Sequence, residues 1–340
     1  MPLPNLPFNP AFCFLDGRWQ PSSTAQTLAL INPSSGQALS AIADGRAEDI
    51  DLAVVAAQRA ARGEWGRSSA LERGRLLSRL GALILEHVEL LAHIEALDVG
   101  KPLKQARADA VAMARYMEFY GGAADKIHGE TLPYLEGYTV YTLREAHGVT
   151  GHIVPWNYPM QIIGRSVGAA LAMGNCCVLK PAEEACLSAL MFAELARQAG
   201  LPSGVLNVVP GLGAQAGAAL AAHGGINHLS FTGSVDTGRL VQAAAAQNVV
   251  PVTLELGGKS PQILFEDADI AAALPFLINA GIQNAGQTCS ASSRILVQRG
   301  LYDAIVEAMA ARYQALVAKP AIEDGDLGPL ISQRQKAIVE

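Results

Sequence analysis

The sequence predicts an α/β fold built on a doubly wound parallel sheet, and three observations lead there. Between positions 148 and 258, short apolar runs alternate with helical stretches of about 10–15 residues, the pattern of parallel strands joined by crossover helices. Half of the 340 residues are hydrophobic and only 16 % are charged, as expected when strands are buried on both faces. Polar residues and glycines collect at the carboxyl ends of the runs, where such sheets bind ligands.

Taken in order, residues 1–45 read as loop with short strands, and Pro33-Ser34-Ser35-Gly36 as a turn between two of them. From Glu48 to about Lys126 the pattern is helical. Leu76, Leu77, Leu80, Leu83, Ile84, Val88 and Leu91 recur there as one apolar stripe. Gly100-Lys101-Pro102 breaks the run, and residues 103–126 make a further helix. Residues 138–144 alternate as a strand. Strands follow at 152–154, 176–179, 205–209, 229–232 and 252–256, separated by helices at 161–173, 185–199, 214–222 and 237–246. Asp269 then begins a helix running to about Asn284, with Pro275 either in its early turns or kinking it. A strand at 294–298 and an amphipathic helix at 302–316 come next. The last residues, 333–340, lie in a helical pattern without a stop signal.

Composition removes several classes of function. Twenty-five Lys and Arg against 31 Asp and Glu give a net charge of −6, which argues against a nucleic-acid binder. No apolar run reaches the ~18 residues of a membrane span. The first fifteen residues carry four prolines and no cationic stretch, unlike a secretory leader. The five cysteines include no CxxC pair, which fits free thiols in a reducing, cytoplasmic compartment. Cys176, Cys177 and Cys186 read as small core residues. Seven histidines form neither an HExxH motif nor a Cys/His cluster, so no metal site is expected.

Four segments bear chemistry. Phe231-Thr232-Gly233-Ser234-Val235-Asp236-Thr237-Gly238 joins a strand to a helix with glycines five apart, unlike GxGxxG. Glycine admits close backbone approach and Ser234 stands beside helix N–H groups that favour anions, so the segment is a phosphate site or an ordinary turn. Lys180-Pro181-Ala182-Glu183 offers a cation and a carboxylate for ribose hydroxyls, or two solvated charges. Glu255, before Leu256-Gly257-Gly258, is a general base if burial raises its pKa, or half of a salt bridge to Lys259. Cys289 lies in a polar, glycine-containing corner between a helix and a strand, where substrate can reach an activated thiolate. A thiol and a carboxylate on segments facing a nucleotide-type sheet suggest covalent catalysis coupled to redox chemistry.

Five motifs occur in a recognisable order: Pro155-Trp156-Asn157-Tyr158-Pro159, Lys180-Pro181-Ala182-Glu183, Phe231-Thr232-Gly233-Ser234, Glu255-Leu256-Gly257-Gly258-Lys259 and Gly286-Gln287-Thr288-Cys289. From about Asn32 onwards the chain resembles the NAD(P)-dependent aldehyde dehydrogenases. The resemblance implies a Rossmann-like NAD-binding core at 148–258 and an incomplete α/β catalytic domain at 259–340. It implies an N-terminal segment of packing helices at 1–137 and an oligomerisation strand segment at 138–147.

For the chemistry it implies that Cys289 attacks an aldehyde to give a thiohemiacetal, with Asn157 and the Cys289 backbone N–H as oxyanion hole. Hydride transfer to the nicotinamide would leave a thioester on Cys289, and Glu255 would activate the water that releases a carboxylic acid. Gly233 and Ser234 would contact the pyrophosphate, Lys180 and Glu183 the adenosine ribose, and Phe231 and Leu256 the nicotinamide. Ile153, Trp156 and Gly213 complete the implied cofactor site, and Tyr158 the aldehyde tunnel. A carboxylate at Glu183 would repel a 2′-phosphate, which favours NAD over NADP. The implied partners are a small aldehyde and further copies of the chain, with no nucleic acid and no membrane.

Two departures stand out. Where many members carry Trp-Lys after the PWN motif, this chain has Arg165-Ser166. The family also continues past position 340 through a Glu-x-Phe-Gly-Pro motif to a closing strand. The chain therefore reads as truncated, with the strand at 138–144 left without its partner. Two alternatives accompany the oxidative reading. One is a CoA-acylating relative, against which Glu255 argues, and the other a non-catalytic, NAD-binding structural homologue.

Overall fold

The computed structural model describes residues 3–340. Two antiparallel hairpins open the chain: β1 (Phe12–Leu15) with β2 (Arg18–Pro21), then β3 (Thr27–Ile31) with β4 (Ala38–Ala43). Five helices follow: α1 (Ala47–Arg62), α2 (Glu64–Arg67), α3 (Ala70–Glu86), α4 (Val88–Asp98) and α5 (Leu103–Ala123). The expected single stripe is divided at His87: Leu76, Leu77, Leu80 and Ile84 form the buried face of α3, while Val88 and the buried Leu91 belong to α4. Ser69 starts α3 with a capping box: its hydroxyl accepts from the Glu72 N–H, and the Glu72 carboxylate accepts from the Ser69 N–H at 2.8 Å. Gly74 lets α3 and α5 touch backbone to backbone, since a Cβ there would lie 2.5 Å from the Gly121 carbonyl oxygen.

The short strands β5 (Thr131–Leu132) and β6 (Val140–Tyr141) pair with each other. The seven-residue strand expected at 138–144 is thus cut to two residues, with a partner from within the chain. Its side chains are exposed, Tyr138 by 69 % and Leu143 by 70 %, so its alternation finds no core against which to set a longer register.

The alternating region then forms β7 (Val149–Val154), α6 (Pro159–Ala172), β8 (Cys176–Pro181), α7 (Leu187–Gln198) and β9 (Leu206–Val208). A π-turn at Gly213–Gly217 leads into α8 (Ala218–Ala221), followed by β10 (His228–Gly233), α9 (Val235–Ala246) and β11 (Val252–Leu256). The five parallel strands stand in the order β11-β10-β7-β8-β9, and the sheet goes on through β1, antiparallel to β9, and β2, antiparallel to β1. The sheet is therefore mixed and seven-stranded rather than parallel throughout. The β1–β2 hairpin joins because Cys13, Phe14 and Leu15 are buried, and Trp19 packs against Phe8 and Phe14. Helices α6 and α7 cover one face, backed by α3, α4 and α5, while α1, α8 and α9 cover the other. Cys176, Cys177 and Cys186 lie in this core, where burial raises all three thiols, Cys177 to about 12.

The final segment is smaller: β12 (Pro261–Leu264), α10 (Ile270–Ile282), β13 (Arg294–Val297), α11 (Tyr302–Gln314) and α12 (Gln333–Val339). Strands β12 and β13 are parallel, and Leu264, Leu277, Ile278, Ile305 and Met309 make a separate core. Pro275 stands inside α10, whose N-cap is Asp269. Among the described residues, no helix is long and apolar enough to cross a membrane.

Candidate active site

The strand order reverses direction at β7: β8 and β9 lie to one side, β10 and β11 to the other. A crevice at the carboxyl ends of β7 and β10 is where doubly wound sheets bind nucleotides. Most of the residues proposed for the cofactor converge there. Lys180, Ile153, Phe231 and Leu254 are successive register partners across four strands, and the next positions pair Thr232 with Glu255 and Gly233 with Leu256. A Cβ on Gly233 would lie 2.6 Å from the Phe231 ring, and one on Gly238 2.7 Å from the Leu256 side chain. Glycines therefore let Phe231 and Leu256 pack against the start of α9.

Ser234 is the N-cap of that helix, its hydroxyl accepting from the Thr237 N–H at 3.2 Å. The other first-turn N–H groups remain free to meet an anion. On the far side, the Lys180 ammonium is buried and lies 2.8 Å from Glu183, whose second oxygen accepts from the Gly213 N–H at 3.4 Å. Burial would lift the Glu183 pKa, but the Lys180 charge and hydrogen bond outweigh it and hold the carboxylate below its usual range. An ionised acceptor and a buried cation beside an open glycine loop fit the hydroxyls of a ribose. Trp156 packs in a small apolar cluster with Val99, Ala185 and Ile331.

Cys289 is exposed, whereas the other four cysteines are buried. Its loop leaves α10 through three successive residues with positive φ: Asn284 (49°), Ala285 (56°) and Gly286 (78°). This left-handed run ends the helix near Ile282 rather than at Asn284 and turns the chain toward α6. A closed set of hydrogen bonds holds the turn. The Asn157 side-chain amide donates to the Gln287 carbonyl at 2.9 Å, and the Asn284 amide donates to the Asn157 carbonyl at 3.1 Å. The Gln287 amide donates back to the Asn284 carbonyl at 2.9 Å. Gln105 on α5 accepts from the Asn284 N–H at 2.9 Å, and the Ile331 N–H donates to the Gln287 side chain at 3.0 Å. The structure therefore brings Asn157 and the Cys289 loop together. Gln105, Asn284 and Gln287 had no role in the sequence reading. Gln287 lies inside a motif, but only the fold shows what its side chain bonds.

Glu255 occupies a different wall. A Cβ on Gly258 would lie 3.4 Å from the Cys289 carbonyl oxygen, so the backbone after β11 does abut the cysteine loop. The Glu255 side chain is exposed and lines a cavity of about 390 Å³ with Arg165, Ser166, His147, His152, His228, Ser230, Thr232 and Thr253. Cys289 is not part of that wall. Among the described residues Glu255 forms no salt bridge, and Lys259 Nζ donates instead to the Gly258 carbonyl. Burial drives the His152 pKa down to about 3, with His228 adding to the effect. His152 Nε2 stands 2.9 Å from the Thr150 hydroxyl, and His228 Nε2 stands 3.1 Å from the Thr253 hydroxyl.

Comparison with known proteins extends these observations to nearly the whole chain. The aldehyde dehydrogenase family profile matches residues 19–340. The chain is 42 % identical over 326 residues to hydroxyisobutyraldehyde dehydrogenase of Mycolicibacterium austroafricanum, a match covering 96 % of this chain and 64 % of that protein. A crystal structure from Burkholderia cenocepacia, assigned as an aldehyde dehydrogenase, is 61 % identical with a TM-score of 0.96, over 97 % of this chain and 69 % of the other. The NAD+ complex of an aldehyde dehydrogenase from Bacillus cereus is 40 % identical with a TM-score of 0.95, over 97 % and 68 % respectively. The chain spans about two thirds of the length of the relatives it matches. Motifs, sheet topology and these similarities lead to one conclusion: the chain belongs to the aldehyde dehydrogenase family.

Proposed function

We propose that this chain carries the acyl-transfer centre of an NAD-dependent aldehyde dehydrogenase that oxidises a small aldehyde to its carboxylic acid through Cys289. The observation that carries the reading is the bond from the Asn157 amide to the Gln287 carbonyl, 2.9 Å, which fixes an amide donor beside the one exposed thiol. A primary amide has two N–H bonds, so one can hold the loop while the other faces a substrate oxygen. Cys289 Sγ bonds to the aldehyde carbon, and the negative charge on oxygen meets Asn157 and the Cys289 N–H. NAD, when bound, supplies the acceptor for the hydrogen and electron pair that leave that carbon. The acyl group then remains on Cys289 as a thioester. Glu255 takes a proton from water, the water oxygen attacks the acyl carbon, and Cys289 leaves as thiolate. This requires the Glu255 side chain to turn from its cavity toward the cysteine loop.

The cofactor assignment rests on Lys180, Glu183 and Gly213 at one end of the crevice, and on Phe231, Gly233, Ser234 and Leu256 at the other. Ile153 lies between them, with Trp156 close by. Ionised Glu183 supports NAD over NADP, because a 2′-phosphate would meet a second negative charge. Five free cysteines support a reducing, cytoplasmic location. The exposed Leu132, Tyr134, Leu135, Tyr138 and Leu143 of the β5–β6 segment support self-association through that surface.

NADH formation with a panel of aldehydes tests the reading. Wild type is expected to turn over and Cys289→Ala to bind NAD without turnover. NAD binding by wild type with no turnover of any aldehyde would overturn the claim of dehydrogenase activity for this chain.

A further inference from the structure

A buried charge cluster around Lys101, of the Gly100-Lys101-Pro102 break, lies beside the cysteine loop. Lys101, between α4 and α5, is fully buried, with its ammonium 2.6 Å from Glu95 and 2.5 Å from Asp109. Burial opposes its charge, but Glu95 and Asp109 outweigh burial and raise its pKa. The same ammonium sits 3.9 Å from the centroid of the Tyr158 ring, in cation–π geometry. The other oxygen of Asp109 accepts from the Gln161 amide at 2.6 Å, one turn along α6 from Tyr158.

Helix α5 therefore grips the site twice. Through Asp109 it holds Lys101 and Gln161, and through Gln105, one turn earlier, it accepts from the Asn284 N–H. Tyr158 is itself the residue after Asn157 and borders Thr288, which precedes Cys289. A buried ion cluster of this kind costs desolvation that apolar side chains of like volume would not, so stability alone is a weak reason for it.

We infer that Lys101 is a positioning residue: held by Glu95 and Asp109, it fixes the Tyr158 ring and thereby the Asn157–Gln287–Asn284 hydrogen-bond ring around Cys289. This rests on the role proposed above for Cys289 and Asn157.

The test uses the full chain and two reagents. Nitrophenyl acetate acylates Cys289 only with oxyanion stabilisation, whereas iodoacetamide alkylates the thiol without it. Lys101→Gln alone leaves two buried carboxylates facing each other and is at risk of misfolding. Lys101→Gln with Asp109→Asn removes one charge of each sign and keeps the cluster's balance. In the folded double variant, acylation is expected to fall about 10- to 100-fold, as for a displaced catalytic group, with alkylation within about twofold of wild type. Tyr158→Phe keeps the ring face and is expected to acylate faster than Tyr158→Leu.

Wild-type acylation rates in the folded double variant would overturn the proposal. If wild-type Cys289 is alkylated but never acylated, the oxyanion-hole reading fails separately. The Lys101–Tyr158 link is then read from ¹⁹F NMR of fluorotyrosine-labelled protein, with the Tyr158 resonance assigned by Tyr158→Phe. A shift or loss of that resonance in the double variant is the expected result, and an unmoved resonance refutes the inference.

Discussion

His152 shows how a side chain in the core makes stability depend on pH. It is 3 % exposed, and burial and His228 lower its pKa to about 3. Above the ordinary imidazole pKa of about 6.5 both folded and unfolded chains leave it neutral, so it contributes no pH dependence there. As pH falls below that value the unfolded chain binds a proton that the folded chain refuses, and stability is lost until about pH 3. By pH 5 the loss is about 2 kcal/mol. Urea unfolding at pH 7.5 and pH 5 is expected to show a drop smaller by that amount in His152→Gln, and an equal drop in variant and wild type would refute the assignment. Cys289 was legible as a distinct residue because its polar, glycine-containing surroundings differ from those of the other cysteines, and it alone of the five is exposed. Lys101 was not, since a lysine between glycine and proline reads as a turn until Glu95, Asp109 and Tyr158 are seen around it.

Helices and strands with dense local signals were the most legible elements. The leucine stripe, divided between α3 and α4, and the apolar runs of β7 to β11 emerge close to their expected positions. The β1–β2 hairpin was less so, because four-residue strands gain their stability from the β9 edge and from Trp19 rather than from local pattern. The 138–144 strand was overread for the opposite reason, a good alternation with nothing packed behind it. The left-handed exit from α10 belongs to this scale as well. Gly286 has φ +78°, where an L side chain costs about 1–2 kcal/mol. Gly286→Ala is expected to lower stability by about that amount and to slow acylation of Cys289, because the strain falls on the turn that Gln287 and Asn157 hold. A variant with lowered stability and an unchanged acylation rate would show that the turn does not set the geometry of the thiol.

At the scale of the whole molecule, one sheet supplies the crevice and a smaller β12–β13 unit carries the exposed thiol, with the PWN segment running on from β7 and hydrogen-bonded to the cysteine loop. The motifs carried this joint arrangement in the sequence only through their order, since no single one specifies it. Missing from the sequence was the direction of Glu255, which the fold turns into a histidine-lined cavity. Cys289 and Asn157 are proposed to form an acyl-transfer centre which Glu255 empties. Intact-protein mass spectrometry after brief exposure to nitrophenyl acetate tests it most directly. One acetyl group on Cys289 is expected, decaying in wild type and accumulating in Glu255→Gln, with none in Cys289→Ala. Acetyl groups on other residues, or equal decay in wild type and Glu255→Gln, would contradict it.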